Sequence, residues 1–205
     1  MIGYYFVTDK KLSKKGIISD VKAAVAAGVK CVQYRNKEID SEKAYAQALK
    51  LRKLCKDITF LINDRLDLAL RVGADGIHLG QDDLPVAMAR RLLGENKIIG
   101  LTVHSIKEAQ EAKKQGADYL AISPIYATKT KKDAGRPKGI ALIKKIKKAV
   151  KLPVVVIGGI NLSNARKVIR AGADGLCAIS CVLTKSNVKK EIEKFQRLFY
   201  NPPGQ

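Results

Sequence analysis

At 205 residues with 46% hydrophobic content, the chain can bury one full core and needs no second domain. The formal charge of +20 raises the question of nucleic acid, but the lysines are scattered over nearly every expected helix and aromatics are only 5% with no Trp, so the stacking platforms of a single-strand binder are missing. No run approaches the ~18 apolar residues of a membrane span, and the four cysteines (Cys31, Cys55, Cys177, Cys181) form no CxxC pair, so the expectation is a soluble, cytoplasmic protein without membrane, disulfide framework or zinc site.

Taken in order, Gly3 to Thr8 reads as a strand, Ser19 to Ala27 as a helix, and Lys30 to Arg35 as a second strand. Glu42 to Cys55 carries apolar residues at 44, 48, 51 and 55, a helical stripe begun by Asp40 or Ser41 as cap. Phe60 to Ile62 is an apolar run ended by Asn63-Asp64, Arg65 to Val72 suits a short helix, and Gly76 to Leu79 is a further strand ended by Gly80-Gln81-Asp82-Asp83. Val86 to Leu93 (helix), Ile98 to Val103 (strand), Ile106 to Gln115 (helix) and Tyr119 to Ser123 (strand) follow. Ile140 to Val150, Ser163 to Ala171 and Val188 to Phe199 complete the helices, and Val154 to Ile157 and Gly175 to Ser180 the strands, giving eight of each; 200–205 reads as a loose tail.

A repeat supports that count. VGADGIHLG, QGADYLAIS and AGADGLCAIS each run from a helix end into an apolar strand, with glycine at 73, 116 and 172, and AGVKCVQYR at Gly28 is a fourth relative. Glycine takes the left-handed conformation that closes a helix, so each marks a turn back into a strand. The excess length between Gly116 and Gly172 falls in Pro124 to Lys138, a loop too long to be a mere connector. Eight regular units predict a single-domain (βα)8 TIM barrel over 1–205, with functional groups on the loops after the strands. An open doubly wound sheet is the alternative, but it needs a switch point this repeat does not advertise.

The strand ends collect the candidates for chemistry. They are Gln33, Arg35 and Lys37 after strand 2, Asn63 and Asp64 after strand 3, Asp83 after strand 4, and Thr102 and His104 after strand 5. The long loop adds Thr128, Thr130 and Lys131, strand 7 ends in Gly158-Gly159-Ile160-Asn161, and strand 8 in Ile179-Ser180. Asp64 and Asp83 point into one mouth if their strands are parallel neighbours, where they either hold a hard cation, Mg²⁺ before any zinc-type metal, or merely cap helices. Loops 7 and 8 are the usual place for a phosphate in such a barrel. Arg35, Lys37 and Lys131 beside a Mg²⁺ site suggest a second, more highly charged group. His78 and His104 read as packing or supporting groups rather than general bases.

YYFVTD, VQYRNK, INDRLDLALRVGADGIHLGQDDLP, IIGLTVHS, GADYLAISPIYATKTKKDA, VVVIGGI and GADGLCAIS, in that order over nearly the whole chain, strongly resemble the thiamine phosphate synthase family. That family joins a hydroxymethylpyrimidine diphosphate to a thiazole phosphate, releasing pyrophosphate. The resemblance implies that Gln33, Arg35, Lys37, Asn63, Thr102 and Lys131 bind the pyrimidine diphosphate, with Arg35, Lys37 and Lys131 catalytic, that Asp64 and Asp83 hold Mg²⁺, and that Thr128, Thr130, Gly159, Ile179 and Ser180 bind the thiazole phosphate. The expected partners are small phosphorylated substrates, with no specific nucleic acid; homo-oligomerisation is left open. Departures from the family pattern are small. Asn36 stands where Glu is usual, Ser123 where Gly commonly precedes Pro, and Ala127 where Pro precedes Thr-x-Thr-Lys; Ala127 is expected to loosen the loop. Two other readings are a thiazole tautomerase of the same fold and a basic barrel that binds nucleic acid or regulates; Asp64, Asp83, Arg35, Lys37 and Lys131 together favour the synthase.

Overall fold

Side chains along a strand alternate between its two faces, and each short apolar run of this chain uses both. The computed structural model describes residues 3–128, 130 and 135–200. In chain order the elements are β1 (Gly3–Val7), α1 (Ile17–Ala26), β2 (Cys31–Tyr34), α2 (Ser41–Leu54), β3 (Thr59–Asn63), α3 (Leu66–Arg71), β4 (Gly76–Leu79), α4 (Val86–Leu93), β5 (Ile98–Val103) and α5 (Ile106–Lys114). Then come β6 (Tyr119–Ile122), α6 (Ile140–Ala149), β7 (Val154–Ile157), α7 (Ala165–Arg170), β8 (Gly175–Cys177), α8 (Ile179–Leu183) and α9 (Val188–Tyr200). Every neighbouring pair is parallel, and β8 closes on β1 through Gly3 opposite Gly175 and Tyr4 opposite Leu176, so the sheet is the expected (βα)8 barrel.

Parity divides the buried apolar residues into two cores. Tyr4, Phe6, Val32, Phe60, Ile62, Ile77, Ile99, Leu120, Val154, Val156 and Leu176 face outward, packed with the helices. Their strand neighbours Tyr5, Val7, Cys31, Leu61, Tyr119, Val155 and Cys177 face inward and fill the barrel. The four cysteines carry free thiols, and no helix among the described residues is long and apolar enough to cross a membrane.

The expected helix-closing glycines behave as their sequence positions require: Gly28, Gly73, Gly116 and Gly172 have φ of 78°, 62°, 92° and 101°. The aspartates of the repeat have a shared role that the sequence did not reveal. Asp75, Asp118 and Asp174 each accept a hydrogen bond from an N–H near the start of the strand before, that of Phe60, Ile99 and Val154 respectively, at 2.7, 2.6 and 2.7 Å. Each is paired with a cation from a preceding helix, respectively Arg52, Arg90 and Lys147. These carboxylates pin the strand starts at the end of the barrel opposite the functional loops.

Two expectations need correction. Strand 8 does not run to Ser180: β8 ends at Cys177, level with its last partner Ile157 on β7, and without a further ladder the backbone turns at Ala178 (φ −122°, ψ 81°) into α8. Ile179 and Ser180 therefore open a short extra helix, which makes nine helices among the described residues rather than eight. Elsewhere the boundaries shift by one or two residues, with Asp40 rather than Ser41 capping α2 through Lys43 N at 2.9 Å. Tyr200 is the last residue of α9, and the rest of the expected tail lies outside the described residues.

Candidate active site

Parallel strands all end on the same side, so polar residues placed at the ends of several strands must share one mouth. A cavity of about 350 Å³ opens there, and its walls include Gln33, Arg35, Lys37, Asn63, Asp64, Asp83, Thr102, Thr128, Thr130, Gly159, Ile179 and Ser180. Of the expected site residues only Lys131 is not among them, because it lies outside the described residues.

On the acidic side, β3 and β4 are neighbours with Asn63 opposite His78, so the residues that follow each strand converge. Asp64 adopts a left-handed backbone (φ 61°), uncommon for a side chain other than glycine, held by its N–H donating to His78 O at 2.9 Å. Asp83 turns back so that Oδ2 accepts from Gly80 N at 2.7 Å. Neither acid caps a helix: the N-cap positions of α3 and α4 are Arg65 and Pro85, and neither helix has a side-chain cap bond. The capping alternative is thereby set aside.

Burial pushes the Asp64 carboxyl above its ordinary range, and the hydrogen-bonding approach of Asp83 pushes it further, while Lys37 pulls the other way. Two acids forced together in a part-buried mouth are what a hard cation would relieve, and their donors are all oxygens. Among the described residues no group of three or more His, Cys, Asp and Glu side chains is placed so that it could hold a metal ion. The pair therefore fits a cation that takes two protein carboxylates and draws its other ligands from substrate and water, as Mg²⁺ does.

On the basic side, Lys37 Nζ sits 3.1 Å from Asp64 Oδ2. Arg35 follows β2, which is pinned to the end of β1: Thr8 Oγ1 accepts from Arg35 N at 2.8 Å and donates to Arg35 O at 2.9 Å. The Arg35 guanidinium also reaches Asp9 Oδ2 at 3.4 Å, and Asp9 in turn accepts from Lys11 N and Leu12 N. Thr8 and Asp9 thus fix a cation that the sequence reading found without its supports; buried polar residues immediately after an apolar run were the available signal.

Across the mouth, Gly158 and Gly159 both have positive φ, 100° and 63°. A side chain on Gly158 would meet Pro124, and one on Gly159 would meet Tyr126 and Ala127, so the long loop presses directly on this turn. Its base is tied: Ile125 N donates to Ile157 O and Tyr126 N to Gly158 O, while Lys138 N and Gly139 N return to Pro124 O and Ile125 O. Thr130 N donates to Thr128 Oγ1 at 3.2 Å. Backbone at Gly159 and the first residues of α8 face the same cavity, the geometry in which barrels of this type hold phosphate.

The floor of the mouth was not foreseen. His78 is buried, with Nδ1 2.7 Å from the Tyr119 hydroxyl and Nε2 2.9 Å from Thr102 Oγ1, and the Tyr119 hydroxyl lies 2.7 Å from that of Tyr5. Gln33 Nε2 donates to Tyr5 at 2.8 Å. His104 is held by Glu108 instead, through Nδ1 at 3.1 Å and its backbone N–H at 2.8 Å. Both histidines are thus hydrogen-bonded to neighbouring side chains, His78 to Tyr119 and Thr102 and His104 to Glu108.

Residues 4–182 match a family model described as thiamine monophosphate synthase. A thiamine-phosphate synthase of Methanosarcina mazei is 53% identical over 195 residues, covering 95% of this chain and 81% of the relative. One from Chloroflexus aurantiacus is 44% identical over 197 residues, covering 95% and 91%. The solved structure of a thiamine phosphate pyrophosphorylase from Pyrococcus furiosus superposes with a TM-score of 0.90 at 38% identity, covering 99% of this chain and 98% of that one.

Proposed function

Because the chain belongs to the thiamine monophosphate synthase family, we propose that its mouth joins hydroxymethylpyrimidine diphosphate to a thiazole phosphate, forming thiamine phosphate and releasing pyrophosphate. The observation that carries this reading is the convergence in one cavity of a paired-carboxylate side (Asp64, Asp83), two cations (Arg35, Lys37) and a glycine and helix-start side (Gly159, Ile179, Ser180). One mouth thus offers a place for a diphosphate and a separate place for a monophosphate.

In this reading Asp64 and Asp83 hold Mg²⁺, which when bound neutralises charge on the diphosphate and its leaving group. Arg35 and Lys37 bind the same diphosphate, and Lys131 joins them from the long loop. The electron-rich aminopyrimidine tolerates the cationic methylene left as the C–O bond breaks, and the electron pair leaves with pyrophosphate, where the cations stabilise it. Gln33, Asn63 and Thr102 orient the pyrimidine. Thr128, Thr130, Gly159, Ile179 and Ser180 hold the thiazole phosphate so that the ring nitrogen attacks the methylene carbon. No protein nucleophile is required, which suits a mouth whose two histidines are committed to Tyr119, Thr102 and Glu108.

The test is direct: purified protein, both substrates and Mg²⁺, with thiamine phosphate and pyrophosphate measured together. Stoichiometric appearance of both is expected. Isomerisation of the thiazole without coupling would instead place the protein with the tautomerases of this fold.

A further inference from the structure

Five side chains from five strands form one buried line of hydrogen bonds across the barrel: Gln33 on β2, Tyr5 on β1, Tyr119 on β6, His78 on β4 and Thr102 on β5. Its ends, Gln33 and Thr102, line the cavity, as does His78, whereas Tyr5 and Tyr119 lie beneath it and do not. The line needs room that a glycine supplies. A side chain on Gly100 of β5 would overlap the Tyr119 ring itself, although Gly100 needs no unusual backbone conformation. Gln33, Tyr5, Tyr119 and His78 are buried inside a barrel otherwise filled by Val7, Cys31, Leu61, Val155 and Cys177, and such polar groups are costly unless all are satisfied together.

A phenol has a single proton, so the bonds in this line are not independent. Gln33 Nε2 donates to the Tyr5 oxygen, which leaves the Tyr5 proton for Tyr119. Cys31, also near Tyr5, offers only sulfur, a weak acceptor by comparison. With the line polarised from Gln33 in this way, Tyr119 would donate to His78 Nδ1, the imidazole proton would reside on Nε2, and Nε2–H would donate to Thr102 Oγ1, the contacts being 2.7 and 2.9 Å. Having accepted that bond, the Thr102 hydroxyl has its own proton to give to the cavity. Turning the Gln33 amide over would reverse every bond in the line and present the opposite pattern at both ends.

We propose that Tyr5, Tyr119 and His78 are positioning residues that set the hydrogen-bonding polarity of the pyrimidine subsite, keeping Gln33 as an acceptor through its carbonyl oxygen and Thr102 as a donor. That pattern selects an aminopyrimidine, whose exocyclic amine donates and whose adjacent ring nitrogen accepts, against the oxo analogue, in which the roles of those two positions are reversed. The inference rests on the functional reading above for its placing of Gln33 and Thr102 on the pyrimidine.

Nitrogen NMR of the ¹⁵N-histidine-labelled protein, which has two histidines, tests the polarity without substrate, His104→Gln identifying the His78 signals. The expected tautomer of His78 at neutral pH carries its proton on Nε2. Calorimetry with Mg²⁺ then compares hydroxymethylpyrimidine diphosphate with its oxo analogue. Wild-type protein should prefer the amino form, and Tyr119→Phe, which keeps the ring but removes the hydroxyl, should lose at least about tenfold of that preference. Its affinity for inorganic pyrophosphate with Mg²⁺ should stay within about threefold, since the phosphates are held elsewhere. A His78 proton on Nδ1, or a preference for the amino form undiminished in a folded Tyr119→Phe, overturns the proposal. If Tyr119→Phe does not fold, the wild-type tautomer decides it. Failure of the wild type to form thiamine phosphate, with tautomer and preference as expected, would count against the functional reading and not against this one.

Discussion

Lys37 Nζ lies 3.1 Å from Asp64 Oδ2, so a cation assigned to the diphosphate rests on a carboxylate assigned to the metal. The pair is half open to solvent, and such a contact is worth little as a source of stability. Its interest is positional. A metal on Asp64 and Asp83 would compete with Lys37 for the carboxylate and free the lysine for the incoming phosphates.

Asp64→Ala or Asp83→Ala is expected to leave the fold intact and to lower turnover by roughly a hundredfold or more, as for loss of a dominant electrostatic stabiliser. Circular dichroism and coupled turnover on the same samples check it. Wild-type rates in exhaustive chelator would sink the metal assignment.

Burial and Asp83 raise the Asp64 carboxyl above its ordinary range, so between the unfolded and folded values the native state binds more protons than the unfolded one. Stability contributed by this group is therefore present at low pH and declines as pH rises through that window. Asp64→Asn should unfold at a higher temperature than the wild type at neutral pH, with the difference vanishing in acid below the ordinary carboxylate range. Mg²⁺ should raise the wild-type melting temperature at neutral pH and leave that of Asp64→Asn nearly unchanged. A variant no more stable than wild type at neutral pH would show that the two acids are not in conflict.

Lys131→Ala is expected to slow thiamine phosphate formation greatly while keeping thiazole phosphate affinity within about threefold, since the monophosphate group is assigned to Gly159 after β7 and to Ile179 and Ser180 at the start of α8. The described base of the long loop is tied at Ile125, Tyr126, Lys138 and Gly139. Calorimetry with thiazole phosphate and turnover at saturation separate the effects. Lost thiazole phosphate binding with unchanged coupling at saturation would put the lysine on the other substrate.

Gly100→Ala should destabilise the fold by about 1–3 kcal/mol, the usual cost of an overpacked interior, because the new methyl and the Tyr119 ring claim the same space. Denaturant unfolding of Gly100→Ala alone and combined with Tyr119→Ala tests the cause. The penalty for the glycine change should shrink markedly in the second background, and an undiminished penalty would mean that Tyr119 is not what the methyl strikes.

The sequence by itself determined the barrel and most of its mouth, because both rest on local signals. Alternating apolar runs, closing glycines such as Gly73 and Gly172, and polar residues where a run stops are properties of a few neighbouring positions, and parallel strands then deliver those stops to one side. Even there the strand 8 end was misread, since Gly175 to Ser180 is continuously small or apolar and only the end of the ladder at Ile157 shows where the strand must stop. Tertiary structure alone decided the roles that depend on partners distant in sequence. Asp75, Asp118 and Asp174 look like solvated turn residues until the strand N–H groups they accept from are in place. Tyr5, Tyr119 and His78 look like ordinary strand residues, because a tyrosine inside a barrel and one beneath a helix read alike in a short apolar run. Their hydroxyls and ring nitrogen meet across separations of 114 and 41 residues, and a hydrogen bond has no trace in the sequence until closure of the sheet brings donor and acceptor within 3 Å.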